Sequence, residues 1–276
     1  MLTRVVTAVC VIAVVIIVLL LSNTVLFNIA ISVVCAIMIR ELFKAEKCLE
    51  FKSSYFICMA YVIAMPFFSI PVLSKFQYAF SALCAMLLFT SYLAQHKTMN
   101  FDKLAFMITT GFLISTSMNC FIYIKNSGKE NGIFFIILVL CGAWVGDAGA
   151  YFVGTFLGKH KLVPEISPKK TVEGAVGGVI ITGITFLLLA LGYDKLFLKD
   201  IEISTLNYVL ITVVGMACSV LGMIGDLSAS LLKRQCQIKD YGNLMPGHGG
   251  MVDRFDSVLF VAPFISILLS IYNFVK

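Results

Sequence analysis

Apolar residues in this chain come in long blocks, not in the alternating pattern of strands or the narrow stripe of a surface helix. Nine blocks approach or reach the length that crosses the hydrocarbon core of a bilayer as a helix: 5–21, 25–39, 54–72, 76–95, 104–124, 133–157, 173–192, 205–225 and 257–273. Between them lie short polar segments, with no internal repeat, low-complexity tract or Pro-rich linker. The pattern predicts an all-α, polytopic integral membrane protein with about nine transmembrane helices, forming a single domain over 1–276. Two blocks are irregular. The second is short, and the sixth contains Asp147, which marks it as a candidate for a broken helix.

Composition strengthens this picture. Hydrophobic residues make up 60% of the chain and charged residues 13%, which leaves little for a separate soluble module. The first block follows Arg4 and is longer than a signal-peptide core. No small-x-small cleavage site follows Leu21-Ser22-Asn23, so an uncleaved helix is expected. The nine cysteines form no C-x-x-C pair and most lie within apolar runs, so they read as small buried hydrophobes.

Charge sets the expected orientation. With nine spans, 15 of the 21 Lys and Arg residues fall on the side of the N-terminus and 6 on the other. The positive-inside bias then places the N-terminus in the cytoplasm and the C-terminus outside, as in a multi-pass protein of the cell's inner membrane. The net charge of +6 also suits an anionic leaflet.

The remaining charges concentrate in two places. In Ser230–Asp256 the chain reads SLLKRQCQIKDYGNLMPGHGGMVDRFD, with both signs of charge between two long apolar blocks. If the preceding helix continues, Asp226, Ser230 and Lys233 fall at i, i+4 and i+7 on one face. An ordinary helix end with Lys233 and Arg234 snorkelling to headgroups explains the basic pair alone. An acid at membrane depth beside them favours a functional cluster.

Asp253 and Asp256, three residues apart, open the last block and would share one side of a helix. One acid would suffice as an N-cap; further acids repel one another unless a cation sits among them. Oxygen ligands without a His or Cys cluster suit Mg²⁺, with Mn²⁺ as a substitute, held partly by substrate phosphates. Pro246-Gly247-His248-Gly249-Gly250 is either a tight turn or a backbone cradle for phosphate, with His248 as a hydrogen-bond donor. A second block, 147–178, joins Asp147 and several glycines to the basic residues Lys159, Lys161, Lys169 and Lys170. By itself, that loop could be only a positive-inside determinant.

These residues together resemble the phosphatidate cytidylyltransferase family. The likeness rests on Ser230-x-x-Lys233-Arg234, Lys239-Asp240-x-Gly242, Pro246-x-His248-Gly249-Gly250 and Asp253-Arg254-Phe255-Asp256. Ser167-Pro168-Lys169-Lys170-Thr171-x-Glu173-Gly174, together with Asp147, Ala150, Tyr151 and Gly154, resembles a second family block. The resemblance covers about 147–264, the expected catalytic half. It departs at Ala229, where the family usually has Glu, and at Met245, commonly Leu, Ile or Phe.

The resemblance implies that Asp226 and Asp253 bind metal, with Asp256 as a further ligand. Lys233 and Arg234 join these acids as catalytic residues. Ser230, Lys239, His248, Gly249, Gly250, Arg254, Asp147, Lys169 and Lys170 are expected around the substrates, CTP and phosphatidate, and a homodimer is implied. No nucleic-acid partner is expected. A cation-coupled transporter is the alternative, but its acids should be spread over several spans in paired halves. The Asp-Gly-x-x-Ala-Arg motif of the CDP-alcohol phosphatidyltransferases does not occur.

Overall fold

The computed structural model describes residues 13–127, 131–197, 207–244 and 249–271. Its helices follow the apolar blocks: α1 (Val25–Ala45), α2 (Lys52–Ala64), α3 (Pro71–Ser74), α4 (Gln77–Ala94), α5 (Phe101–Ser127), α6 (Gly132–Leu157), α7 (Val172–Phe197), α8 (Tyr208–Gln235), α9 (Val252–Phe255) and α10 (Val258–Ile271). Residues 13–20 are also helical, and the remainder of the first predicted span, 5–12, lies outside the described residues. Among the described residues, six helices are long and apolar enough to cross a membrane: α1, α4, α5, α6, α7 and α8. The chain thus has the makeup of a membrane protein built from helices.

Three local departures from the sequence pattern have physical causes. The predicted span 54–72 is not one helix: α2 passes at Met65 into a 3₁₀ helix, Met65–Ser69, before α3. Pro66 and Pro71 cannot supply the backbone N–H groups that a continuous helix needs. Asn28 and Ser32 on α1 meet the carbonyls freed there. Asn28 Nδ2 donates to Pro66 O at 2.7 Å, and Ser32 Oγ donates to Ile63 O at 2.8 Å.

By contrast, α6 runs unbroken through Asp147. Its carboxylate accepts from the Ser257 hydroxyl, outside its own helix. The basic segment after α6 is not an irregular loop. It forms an antiparallel hairpin of β1 (Lys161–Val163) and β2 (Ser167–Thr171), the one exception to an otherwise helical fold among the described elements.

The chain gathers into two compact units. One comprises Met1–Tyr123 with Gln235–Arg254; the other comprises Ile124–Arg234 with Phe255–Lys276. In the first, α2 packs on α1 and α4, and Met38, Ile39, Phe43, Leu104 and Met107 are buried. The Phe43 ring meets Tyr55 and Phe106 at centroid distances of 6.1 and 6.3 Å.

In the second unit, α6 and α7 lie along each other through small residues. A Cβ on Gly178 would sit 2.7 Å from Gly146 O, and one on Gly174 would sit 2.6 Å from Ala150 O. That closeness requires glycine, as in many helix pairs within membranes. Further along, Phe186 of α7 fills the space at Gly215 of α8, and Val261 of α10 packs at Gly142 of α6.

Candidate functional site

The second unit gathers acids from three elements. The helix α8 does continue past its apolar part to Gln235, so Asp226, Ser230 and Lys233 share a face as the spacing predicts. Ser230 Oγ reaches Asp226 Oδ1 at 3.4 Å, a long contact. From β2, Lys170 forms an ion pair with Asp226 Oδ2. The side chains of Lys170 and Asp226 are 21% and 23% exposed, and the Lys170 Nζ atom itself is buried without a directed hydrogen bond. An ammonium in this condition has donor capacity left for a ligand's oxygen atoms.

Asp256 is 6% exposed, and its Oδ1 accepts the Ser257 N–H at 2.7 Å. The Ser257 hydroxyl in turn donates to Asp147 Oδ2 at 2.9 Å. Burial, reinforced by the Asp226 and Asp147 carboxylates, pushes the Asp256 carboxyl up to about 8, and Lys233 pulls the other way. Like charges held this close favour either a proton or a cation among them. The glycine at 225 matters here, because a Cβ would collide with the Asp256 backbone oxygen.

Arg234 is exposed, and its Nε donates to Ile166 O at 3.2 Å, fastening the end of α8 to the hairpin turn. Lys169 projects from β2 and is exposed. A carboxylate at the start of α7 secures the hairpin base: Glu173 accepts the Lys159 N–H at 3.0 Å and the His160 ring Nδ1 at 2.6 Å.

The first unit holds the remaining signature residues. Asp253 Oδ2 accepts both the Tyr241 and the Gly250 N–H, each at 2.9 Å. Gly249 has φ +85, and a Cβ there would lie 2.9 Å from Asp253 Oδ2. The Gly249-Gly250 pair therefore packs directly against the Asp253 carboxylate, and the Gly250 N–H is already engaged. Lys239, Asp240 and Arg254 are exposed. His248 lies outside the described residues.

Asp253 and Asp256 do not share one continuous helix. The helix α9 is a single turn, residues 256–257 form a turn, and α10 starts at Val258. Asp256 binds the backbone N–H of the next residue, which stops α9 from continuing.

Several participants escaped the sequence reading. Glu41 of α1 is 8% exposed and accepts the Met251 and Val252 N–H groups at 3.0 and 2.9 Å. Glu46, just past α1, accepts the Cys236 thiol at 3.0 Å and the Lys103 ammonium at 2.7 Å. Burial and the hydrogen bond to Glu46 push the Cys236 thiol up to about 12. Burial works to raise the Glu46 carboxyl too, but Cys236 and Lys103 outweigh it and hold the group below its usual range. The usable signal was an acid within the helix-forming run Ile39-Arg40-Glu41-Leu42-Phe43, at the end of an apolar block. Ser257 offered no such signal, because its role depends on Asp147, 110 positions earlier.

The donors suit a hard divalent cation. They are carboxylate oxygens near an ammonium, with no His or Cys among them. Among the described residues no three His, Cys, Asp or Glu side chains form a ready ligand set.

The model of the cytidylyltransferase family matches residues 2–272. The phosphatidate cytidylyltransferase of Bacillus subtilis (strain 168) is 39% identical over 207 residues, which cover 75% of this chain and 72% of that protein. The phosphatidate cytidylyltransferase of Staphylococcus saprophyticus is 42% identical over 149 residues, 54% of each chain, and that of Staphylococcus aureus (strain COL) is 40% identical over 141 residues, 51% of each. The matched region thus spans about half the length of the staphylococcal relatives. With the family match running almost end to end, through both the helical framework and the acidic cluster, the chain belongs to the cytidylyltransferase family.

Proposed function

We infer that this chain is a CTP:phosphatidate cytidylyltransferase, forming CDP-diacylglycerol and pyrophosphate for phospholipid biosynthesis. The observation that carries the reading is Lys170 buried against Asp226, with Lys233 on the same helix face, in a chain of this family. A phosphate oxygen of phosphatidate attacks the α-phosphorus of CTP in line. The new P–O bond forms as the bond to the bridging oxygen breaks, and its electron pair leaves with pyrophosphate. The attacking phosphate is already ionised, so no general base is required.

Catalysis then consists of positioning and charge stabilisation. Lys170 and Lys233 supply positive charge beside Asp226. Lys169, Arg234, Lys239 and Arg254 supply exposed charge for the triphosphate and the departing pyrophosphate, and Ser230, His248, Gly249 and Gly250 are assigned to substrate contact. Asp226, Asp253 and Asp256 are the proposed ligands of Mg²⁺ or Mn²⁺, with Asp147 holding Ser257 beside Asp256. A bound divalent ion would polarise the phosphoryl oxygens and offset charge that builds on the leaving group.

The finer arrangement is also a proposal. The protein crosses the inner membrane nine times, with the N-terminus and the signature loop in the cytoplasm, the C-terminus outside and two copies forming a homodimer. The bilayer keeps the acyl chains while the phosphate meets CTP at the cytoplasmic face. No specific observation favours a cation-coupled transporter.

The test is purified protein in detergent or nanodiscs with CTP, phosphatidate and Mg²⁺. Pyrophosphate should appear only when both substrates are present, stop on addition of a chelator, and resume with Mg²⁺ or Mn²⁺. Release that ignores phosphatidate would sink the reading, and full activity in excess chelator would remove the metal assignment. Sedimentation of the same preparation measures the number of copies.

A further inference from the structure

The segment between α8 and α9 carries Lys239, Asp240, Gly249 and Gly250 and leads into Asp253 on α9, and the end of α1 holds it at two places. At its far end, the N–H groups of Met251 and Val252 point the same way and need acceptors where α9 begins. A single carboxylate meets both. Glu41 Oε1 takes Met251 N at 3.0 Å, and Oε2 takes Val252 N at 2.9 Å, across more than 200 residues of sequence.

The space for that carboxylate comes from two signature glycines. A Cβ on Gly250 would lie 2.6 Å from both Glu41 oxygens, and a Cβ on Gly242 would also collide with this carboxylate. At the near end, Glu46 takes the Cys236 thiol at 3.0 Å and is itself held by Lys103. Gln237, next in line, turns the chain with φ +55. Between these tethers, Asp253 closes the loop on itself through the N–H groups of Tyr241 and Gly250.

We propose that Glu41 is a positioning residue for the reaction, its carboxylate fixing the backbone at 250–252 and thereby the aim of Asp253. Glycine at 242 and 250 leaves the room that the Glu41 carboxylate occupies. The proposal rests on the cytidylyltransferase reading for its kinetic consequences, and on the geometry alone for its structural ones. An isosteric change separates Glu41 from a residue that only fills space. In Glu41→Gln the amide keeps the volume but can accept only one of the two N–H groups.

The experiment combines steady-state kinetics with hydrogen exchange on the full-length protein. Glu41→Gln should insert and purify like wild type yet lose ten- to a hundredfold in kcat. The amides of 251 and 252 should exchange faster in it, measured without substrate or metal. Gly250→Ala should mimic this loss in the wild-type background and add little in a Glu41→Ala background, because the colliding carboxylate is gone.

Unchanged exchange at 251 and 252 in Glu41→Gln would overturn the proposal. So would multiplicative effects of the Glu41 and Gly250 changes, or lowered thermal stability with kcat and KM untouched. Should Glu41→Gln fail to fold, Gly250→Ala and Glu46→Gln probe the same loop by the same two readouts. If the wild type makes no CDP-diacylglycerol, the functional reading falls, while the exchange data still decide whether Glu41 holds the loop.

Discussion

Asp226 and Lys170 pose a problem of two roles in one contact. An ion pair this shielded stabilises little in net terms, but removal of one partner strands the other's charge. Asp226→Asn should therefore remove nearly all activity and also cost about 1–3 kcal/mol of stability, because Lys170 loses its counter-charge. The double variant Asp226→Asn with Lys170→Met should regain most of that stability while remaining inactive. Thermal unfolding in detergent, read beside CDP-diacylglycerol formation, separates the two effects. Recovery of activity in the double variant would mean that Asp226 serves only to neutralise Lys170. For Lys233, which shares the Asp226 face, Lys233→Ala should cost one to two decades in kcat/KM for CTP, as expected for roughly 1.5–3 kcal/mol of a charge-assisted contact.

Between elements, the close α6–α7 pair tests whether small residues set the spacing. Gly178 and Gly192 both lie on α7, yet their surroundings are opposite. A Cβ at 178 meets Gly146 O at 2.7 Å, whereas one at 192 meets nothing within 4 Å. Gly178→Ala should destabilise by about 1–3 kcal/mol, because the backbone of α6 would have to move. Gly192→Ala should be neutral or stabilise by about 0.5–1 kcal/mol through helix propensity. Equal melting temperatures for the two variants would show that α6 and α7 are not held at this spacing. The α9–α10 break belongs to the same scale: Asp256 and Ser257 use side-chain bonds where a continuous helix would use backbone ones.

For the whole molecule, the proposed orientation is measurable with single-cysteine reporters, but the site of the reporter matters. Cys236 donates to Glu46, and its thiol is pushed up to about 12 from 9.0. Thiolate is the reactive form, so at pH 8 its amount falls by about a thousandfold relative to an unperturbed cysteine. Its alkylation should stay slow from pH 7 to 9, whichever face the reagent approaches. A cysteine placed at exposed His160, on an otherwise cysteine-free background and with Glu173→Gln to remove the neighbouring carboxylate, is the better reporter. It should react with a membrane-impermeant maleimide only after the cytoplasmic face is opened, and one added after Lys276 should react from outside. Labelling at 160 from the outer side of intact cells would overturn the nine-span orientation.

How much was legible in the sequence follows from the range of each interaction. Helix positions, the shared face of Asp226, Ser230 and Lys233, and the family were readable because they depend on neighbours a few residues apart or on fixed motif spacings. The apolar runs are long enough that almost no alternative to a helix survives. Tertiary structure alone decided what the acids do. Asp147 accepts from the Ser257 hydroxyl, Lys170 reaches Asp226 from a hairpin, and Glu41 accepts from a loop more than 200 positions away. It also decided why Gly242 and Gly250 are glycines: their missing Cβ atoms make room for a carboxylate from α1. A hydrogen bond or a steric limit depends on distance in space, and sequence separation carries no record of that distance until the chain has packed.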